Sequence, residues 1–213
     1  MIMTDDEIKA IINGSRPEFL MFLERIKNLF LLAPEMNKEV HSIKARIKEE
    51  SHIIDKVRRK ENRGIEINAM NIFSQITDIA GVRVLHLYSG QFVKIHEYIK
   101  RIISEGELYK VEEFKAYTWD PETNKFFQSI GLNTEIKESY YTSIHYLVAP
   151  RSNSDIKCEI QVRNLFEEVW GEVEHQINYP NKTDNKICLE QIKVLARLSS
   201  TGTKLVDSIY LSK

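Results

Sequence analysis

Between residues 157 and 163 apolar and polar positions alternate, with Cys158, Ile160 and Val162 set against Lys157, Glu159, Gln161 and Arg163. Period two marks a strand with one buried face, and the other face here carries a carboxylate, an amide and a guanidinium in a row. A similar alternation over 39–47 sets Val40, Ser42, Lys44 and Arg46 against His41, Ile43, Ala45 and Ile47, and predicts a first strand. Further strands are predicted at 82–88, near 107–114 and at 140–149. Helical spacing governs the rest. A short helix over 5–13 has Thr4 as N-cap and Glu7 three residues later. Gly14 and Ser15 interrupt it, and a second helix over 16–33 carries Phe19, Phe22, Leu23, Ile26 and Phe30 before Pro34 ends it. Helices are also predicted at 50–61, 68–79, 91–104, 164–178 and 185–210. In the helix over 164–178, Leu165, Phe166, Val169, Trp170, Val173 and Ile177 are expected to pack inward. The stretch 115–139, with Asp120-Pro121, Gly131 and Asn133, reads as a long loop, and loops of that length are often functional. The expected fold is α+β, a mixed, mostly antiparallel five-stranded sheet with flanking helices. Residues 1–38 form an N-terminal helical segment, 39–180 the main domain and 181–213 a C-terminal helix.

Composition narrows the function classes. The 213 residues are 42% hydrophobic and 29% charged, with a net charge of −1. A near-zero balance argues against a general nucleic-acid or membrane binder, so any basic site must be local. Two separated cysteines, Cys158 and Cys188, suggest neither a disulfide framework nor a paired-cysteine zinc site. No apolar run reaches the ~18 residues of a membrane span, and the start Thr4-Asp5-Asp6-Glu7 is unlike a signal peptide. A cytoplasmic protein is expected.

Four groups of residues offer chemistry. Arg46 and Lys48 share a strand face, while Lys56 and Arg59 share a helix face, so two elements can converge four cations on one anion. With no Gly-x-x-x-x-Gly-Lys-Ser/Thr loop in the chain, side chains would have to hold a polyphosphate. A solvated basic face interleaved with Glu49, Glu50 and Glu61 accounts for the same pattern. In Asp78-Ile-Ala-Gly-Val-Arg83, the acid at the mouth of a strand suits Mg²⁺, which takes one or two carboxylates beside substrate phosphates. Taken alone, the acid is better read as a turn or cap residue. Tyr141, Ser143 and His145 share a face and could stack on a base and bond its sugar or phosphates, or line an ordinary edge strand. Glu159 can serve as metal ligand or general base, with Gln161 and Arg163 beside it. His175 falls on the polar side of the following helix, as a site residue or a surface histidine.

In order and spacing these blocks resemble the synthetase domain of RelA/SpoT alarmone synthetases, and within it the stand-alone small alarmone synthetases. The resemblance spans about residues 40–180 and rests on Arg46-x-Lys48, Lys56-x-x-Arg59, Asp78-Ile-Ala-Gly-Val-Arg83, Lys137, Tyr141-x-Ser143-x-His145, Glu159-Ile-Gln-Val-Arg163, Trp170 and Glu174-His175. It implies a nucleotidyltransferase-like synthetase fold. It also implies transfer of the β,γ-pyrophosphoryl group of ATP to the 3′-OH of GTP or GDP, with Mg²⁺ as cofactor and a homotetramer as a possible assembly. By the same resemblance Asp78 would hold Mg²⁺, and Glu159 would be a second ligand or the base. Arg46 and Arg83 would sandwich adenine, and Lys48, Lys56 and Arg59 would hold the ATP phosphates. Tyr141 would stack on guanine, with Lys137 and His145 near its phosphates. Ser143, Gln161, Arg163, Glu168 and His175 complete the acceptor side. Apart from Ser51 on the donor side, one residue earlier than the pattern expects, the departures from the family pattern also lie on that side. They are Tyr140 where glycine is usual, Asn164 where threonine is usual, Glu168 in place of an amide or other polar group, and the long 115–135 segment. They leave open two same-fold alternatives, transfer to the 3′ end of tRNA or to an adenine nucleotide. A third alternative is an idle nucleotide- or RNA-sensing module.

Overall fold

The computed structural model describes residues 2–179 and 182–213. Within them seven strands form one sheet. These are β1 (Ser42–Ile47), β2 (Ala80–His86), β3 (Tyr109–Lys110), β4 (Lys115–Thr118), β5 (Asn133–Ile136), β6 (Ser143–Ala149) and β7 (Cys158–Asn164). The order is β1-β2-β7-β6-β4-β5, with β3 also on β6. Four of the six pairings are antiparallel; β2–β7 and β4–β5 are parallel. The mixed, mostly antiparallel α+β class therefore holds, with β4 and β5 added to the five expected strands. The strand expected near 107–114 shortens to β3. The chain then spends four residues (111–114) where β6 spends two (146 and 147), and rejoins the same edge as β4.

The helices are α1 (Asp5–Leu31), α2 (Glu50–Glu61), α3 (Ile72–Gln75), α4 (Ser89–Ser104), α5 (Pro121–Ser129), α6 (Leu165–Asn178) and α7 (Lys186–Leu211). The boundary expected between 180 and 181 lies outside the described residues. Thr4 and Glu7 form the expected capping box on α1. The break expected at Gly14 does not occur, and α1 continues through Pro17. Ile8, Ile12, Phe19, Leu23, Ile26 and Phe30 are all buried in the main core. Several such side chains at ~1.5–3 kcal/mol each outweigh a helix proline costing ~3 kcal/mol. The helix expected over 68–79 contracts to the single turn α3. Upstream of it, Asn68 Oδ1 accepts from the Met70 and Asn71 amides at 3.0 and 3.2 Å, and Asn71 Oδ1 accepts from the Asn68 amide at 2.8 Å. These side-chain bonds compete with helix.

The long loop expected over 115–139 is instead β4, α5 and β5. Asp120 caps α5, accepting from the Glu122 and Thr123 amides at 3.0 and 2.8 Å, and Pro121 is its first residue. Gly131, at φ +82°, closes α5 with bonds Gly131 N to Gln128 O and Leu132 N to Phe127 O, a Schellman motif.

One sheet face is apolar. Val82, Val84, Ile144, Tyr146, Ile160 and Val162 are buried on it, under α1 and α4. Helix α6 lies against the opposite, charged face, and this reverses its expected packing. Trp170 is buried, but Phe166, Val169, Val173 and Ile177 are 38–55% exposed, and the acid Glu168 points in, only 4% exposed. Arg83 and Arg163 draw in the acidic edge of α6. Its apolar stripe is left beside α7, where Gly202 lies against the Phe166 ring.

Two local features make predictions. Tyr140 has φ +64°, the left-handed region, where a side chain costs ~1–2 kcal/mol. Its ring packs on Trp119, centroids 4.9 Å apart. Tyr140→Ala keeps the strain and loses the ring, whereas Tyr140→Gly loses both. Urea unfolding should therefore show the alanine variant to be the less stable by about 1 kcal/mol; equal stabilities would mean that the segment relaxes. The second feature is the α6 capping box of Asn164 and Glu167. Burial pushes the Glu167 carboxyl up to about 7, against the Asn164 amide bond and the Arg163 charge that lower it, with Asp120 and Asp207 adding to the rise. The folded state thus holds a proton that the unfolded chain has released, so stability falls as pH climbs from the ordinary 4.5 through about 7. Glu167→Gln keeps the cap and removes the titration. It should be neutral near pH 5 and stabilising by about 2 kcal/mol near pH 8, allowing for partial exposure. Melting curves at both pH values check it, and a gain independent of pH would refute the assignment.

Candidate functional site

Register places the site. Lys44, Arg83, Gln161, His145 and Lys115 form one row across β1, β2, β7, β6 and β4. The next row holds Arg46, Gly81, Glu159 and Leu147. Their neighbours along each strand point into the apolar core, so the alternation that buries Cys158, Ile160 and Val162 fixes the polar groups on one rigid floor. A cavity of about 400 Å³ opens over this floor, lined by Arg46, Lys48, Asp78, Arg83, Glu159 and His175 among others.

Asp78 sits just ahead of β2. Lys48 Nζ donates to its Oδ2 at 2.5 Å, and Lys56 Nζ, reaching in from α2, lies 2.7 Å from Oδ1. Each oxygen of Asp78 is thus closed by a lysine ammonium. Burial raises the Asp78 carboxyl, but the two lysines outweigh it and hold it below the usual carboxylate range. Burial also lowers the Lys48 ammonium by more than Asp78 raises it. Arg59 does not join them. It is exposed and donates to its own helix at Asp55 O, 3.3 Å.

Glu159 ends a directional chain of hydrogen bonds. Arg163 can only donate, so the Tyr141 hydroxyl accepts from it and donates to His145 Nε2 at 2.9 Å; His145 Nδ1 then donates to Glu159 Oε1 at 3.0 Å. Gln161 Nε2 donates to Glu159 Oε2 at 2.5 Å. Burial pushes the Glu159 carboxyl up, but His145 and Gln161 outweigh it, and its pKa falls below the ordinary value even though the nearby Asp78 charge opposes this. The carboxylates of Asp78 and Glu159 thus share one cavity in ionised form. As two anionic oxygen donors in one cavity, they fit a hard divalent cation that takes its remaining ligands from phosphates.

Arg163 is a buried hub. It also donates to Ser143 Oγ at 3.2 Å and Gln161 Oε1 at 3.0 Å, pairs with Glu168 at 3.4 Å and stacks over the Tyr141 ring at 4.8 Å. Glu168 also binds Lys44 and Arg83, each at 3.0 Å. Burial raises the Glu168 carboxyl and these three cations bring it below normal. It is therefore already neutralised, and does not stand open toward a base. Lys137 lies apart from the cavity, paired to Glu135 and over the Tyr117 ring at 4.5 Å. His175, grouped with the acceptor residues by resemblance, lines the cavity beside Arg46, Lys48 and Asp78 and stacks on Tyr179 at 4.7 Å.

Three neighbours went unread in the sequence. Glu172 pairs with Arg83 and lines the cavity. Its signal was the four-residue spacing from Glu168, which puts both acids on one helix face. Lys44 was visible as the residue two before Arg46. Tyr117 stands edge-on to His145 at 4.9 Å and was hidden in the presumed loop.

A conserved-region model for the region found in RelA / SpoT proteins matches residues 45–184, and the chain belongs to this family. It is 24% identical to the GTP pyrophosphokinase YwaC of Bacillus subtilis (strain 168) over 204 residues, covering 91% of this chain and 89% of that one. It is 26% identical to the GTP pyrophosphokinase YjbM of the same organism over 198 residues, covering 90% and 80%. Its fold is that of small alarmone synthetase 1 from Bacillus subtilis bound to its product pppGpp, with a TM-score of 0.68 at 19% identity over 96% of both chains. The same synthetase bound to AMPCPP gives a TM-score of 0.62 at 17% identity over 97% of both chains. No described helix is long and apolar enough to cross a membrane.

Proposed function

We propose that this protein is a GTP pyrophosphokinase, a (p)ppGpp synthetase that moves the β,γ-pyrophosphoryl group of ATP onto the 3′-oxygen of GTP or GDP. The observation that carries the reading is the pairing of two ionised carboxylates, Asp78 and Glu159, with a band of cations on one sheet face. Pyrophosphoryl transfer needs that combination more than it needs a covalent nucleophile. In the reaction the 3′-oxygen attacks the β-phosphorus, the bond between that phosphorus and the α,β-bridging oxygen breaks, and AMP departs with the bridging oxygen.

Arg46 and Arg83 hold the adenine, and Lys48 and Lys56 turn from Asp78 to the triphosphate, which frees the carboxylate. Arg59 approaches the phosphates only by a change of rotamer. Asp78 and Glu159 would hold Mg²⁺, which when bound neutralises charge on the phosphates and the leaving group. Glu159 takes the 3′-OH proton, with His145 and Gln161 fixing its orientation. Tyr141 stacks on guanine, steered by Arg163. Lys137, once released from Glu135, and His145 serve the acceptor phosphates, Ser143, Gln161 and Glu168 brace Arg163, and His175 serves the donor side. The chemistry is assigned to 39–180, with 1–38 and 181–213 as helical flanks. We assign it to the cytoplasm, where free nucleotides are available. The exposed apolar stripes of α6 and α7, with Val169 at 55% and Leu198 at 63%, suit a homo-oligomer such as a tetramer.

ATP labelled in its γ-phosphate tests the reading when offered with GTP, GDP, no second nucleotide, or bulk tRNA. Label on GTP or GDP supports it. Label on tRNA alone, or on ATP alone, would replace the acceptor, and absence of transfer to any of them would remove the activity.

A further inference from the structure

A second cavity, of about 520 Å³, lies between α4, α5, α6 and α7, and none of its lining residues lines the cavity over Asp78 and Glu159. Its volume falls in the range of small-molecule sites, ~300–1,000 Å³. Helix α7 explains why the space exists. Its inward stripe is Ala196, Ser199, Ser200, Thr203 and Asp207, while Val194, Leu198, Leu205 and Ile209 face out. Beyond Ile192 and Leu195, which pack inward, the usual amphipathic pattern is inverted, so small polar residues leave the cavity unfilled.

The walls are largely aromatic, and the polar groups left without a partner or a countercharge are acceptors. Tyr88 stacks on Tyr210 at 3.9 Å, and Trp119, Trp170 and Phe92 line the sides. His86 is 5% exposed, and burial holds its imidazole down to about 4, against the one bond that raises it. The neutral ring donates from Nδ1 to Tyr88 O at 3.1 Å, so Nε2 is a bare acceptor with no partner among the described residues. The Ser199 hydroxyl, on a residue 6% exposed, likewise makes no hydrogen bond among them. Asp207 accepts from the Ser89 amide and hydroxyl at 2.6 and 2.7 Å and has no cationic partner among the described residues. Asp120 and Glu167 add two further carboxyls, and Lys204 is paired to Asp120 and Glu122 at 2.9 and 2.8 Å.

We propose that this cavity is a second ligand site, for a small planar cation with an aromatic or apolar body and several N–H donors, of the amidine or guanidine class. The rings would stack on the body, Asp207 would take the charge, and the donors would satisfy His86 Nε2 and Ser199 Oγ.

Benzamidine is a direct probe, because Trp119 and Trp170 are the only tryptophans in the chain and both line the cavity. Titration of the wild-type protein should change the tryptophan emission saturably at millimolar benzamidine or below. Calorimetry should show Asp207→Asn weakening binding tenfold or more, and Thr203→Trp, which fills the space, abolishing it. Saturating ATP should leave binding unchanged. No saturable emission change in the wild type would overturn the proposal. So would equal affinity in Asp207→Asn, or displacement by ATP, which would place the cation on Asp78 and Glu159 instead.

Discussion

Glu159→Gln is expected to lower pyrophosphate transfer by about a thousandfold while the protein stays folded. The argument is positional. Cys158 and Ile160 anchor β7 in the core on either side of Glu159, so the backbone cannot move to bring another group to the same point. The carboxylate is the terminus of the chain from Arg163 through Tyr141 and His145, and every link orients a donor toward it. Glutamine keeps the size and can accept from His145, but it can neither take a proton nor offer two anionic oxygens to a cation. Its cost to stability is that of one charge-assisted hydrogen bond, about 1.5–3 kcal/mol at most. Initial rates and thermal melts separate the two effects. A variant that keeps more than a tenth of the activity would take Glu159 out of the chemistry. Because the Glu159 pKa is depressed in the folded state, the stability it contributes is present above the ordinary 4.5 and is lost as pH falls through the lower folded value. The stability difference between wild type and Glu159→Gln should therefore shrink in acid.

Arg163→Met carries the largest expected stability effect, a loss of about 3–5 kcal/mol. Arg163 is 5% exposed and binds Ser143, Gln161, Tyr141 and Glu168 at once. Methionine matches the stem but leaves the Tyr141 hydroxyl and one Glu168 oxygen without their donor. The Tyr141 ring also loses the guanidinium stacked on it, so in any folded fraction the acceptor KM should rise more than the ATP KM. Arg163→Lys should recover only part of the stability, because an ammonium cannot reproduce the planar fork. Urea unfolding with an unchanged slope and a shifted midpoint is the expected result. A change below about 1 kcal/mol would mean that the hub is redundant.

The sheet floor was legible in the sequence because strand alternation is a local signal with one meaning. The same residues that bury Cys158, Ile160 and Val162 present Glu159, Gln161 and Arg163. Helix α6 was misread because an apolar stripe shows that something covers it without showing what. The charge on Arg83, remote in sequence, and that on Arg163, at the end of the preceding strand, decided that Glu168 and not Val169 would face the sheet. Asp120-Pro121 reads equally as a turn or as a helix start, and only the bonds to Glu122 and Thr123 settle it. The glycine departure at Tyr140 has a physical counterpart, since the backbone there keeps the left-handed conformation that suits glycine and the ring finds Trp119. His175 was grouped with the acceptor residues by resemblance, yet α6 carries it back over the cavity beside Asp78, a course that no local pattern encodes.

The most direct test of the central claim is the stoichiometry of the reaction itself, followed by phosphorus NMR with ATP, GDP and Mg²⁺. Pyrophosphate transfer predicts AMP appearing mole for mole with a guanosine nucleotide bearing a diphosphate on its 3′-oxygen, and neither product with Asp78→Asn. ADP in place of AMP, or inorganic pyrophosphate released without a 3′-modified nucleotide, would contradict it.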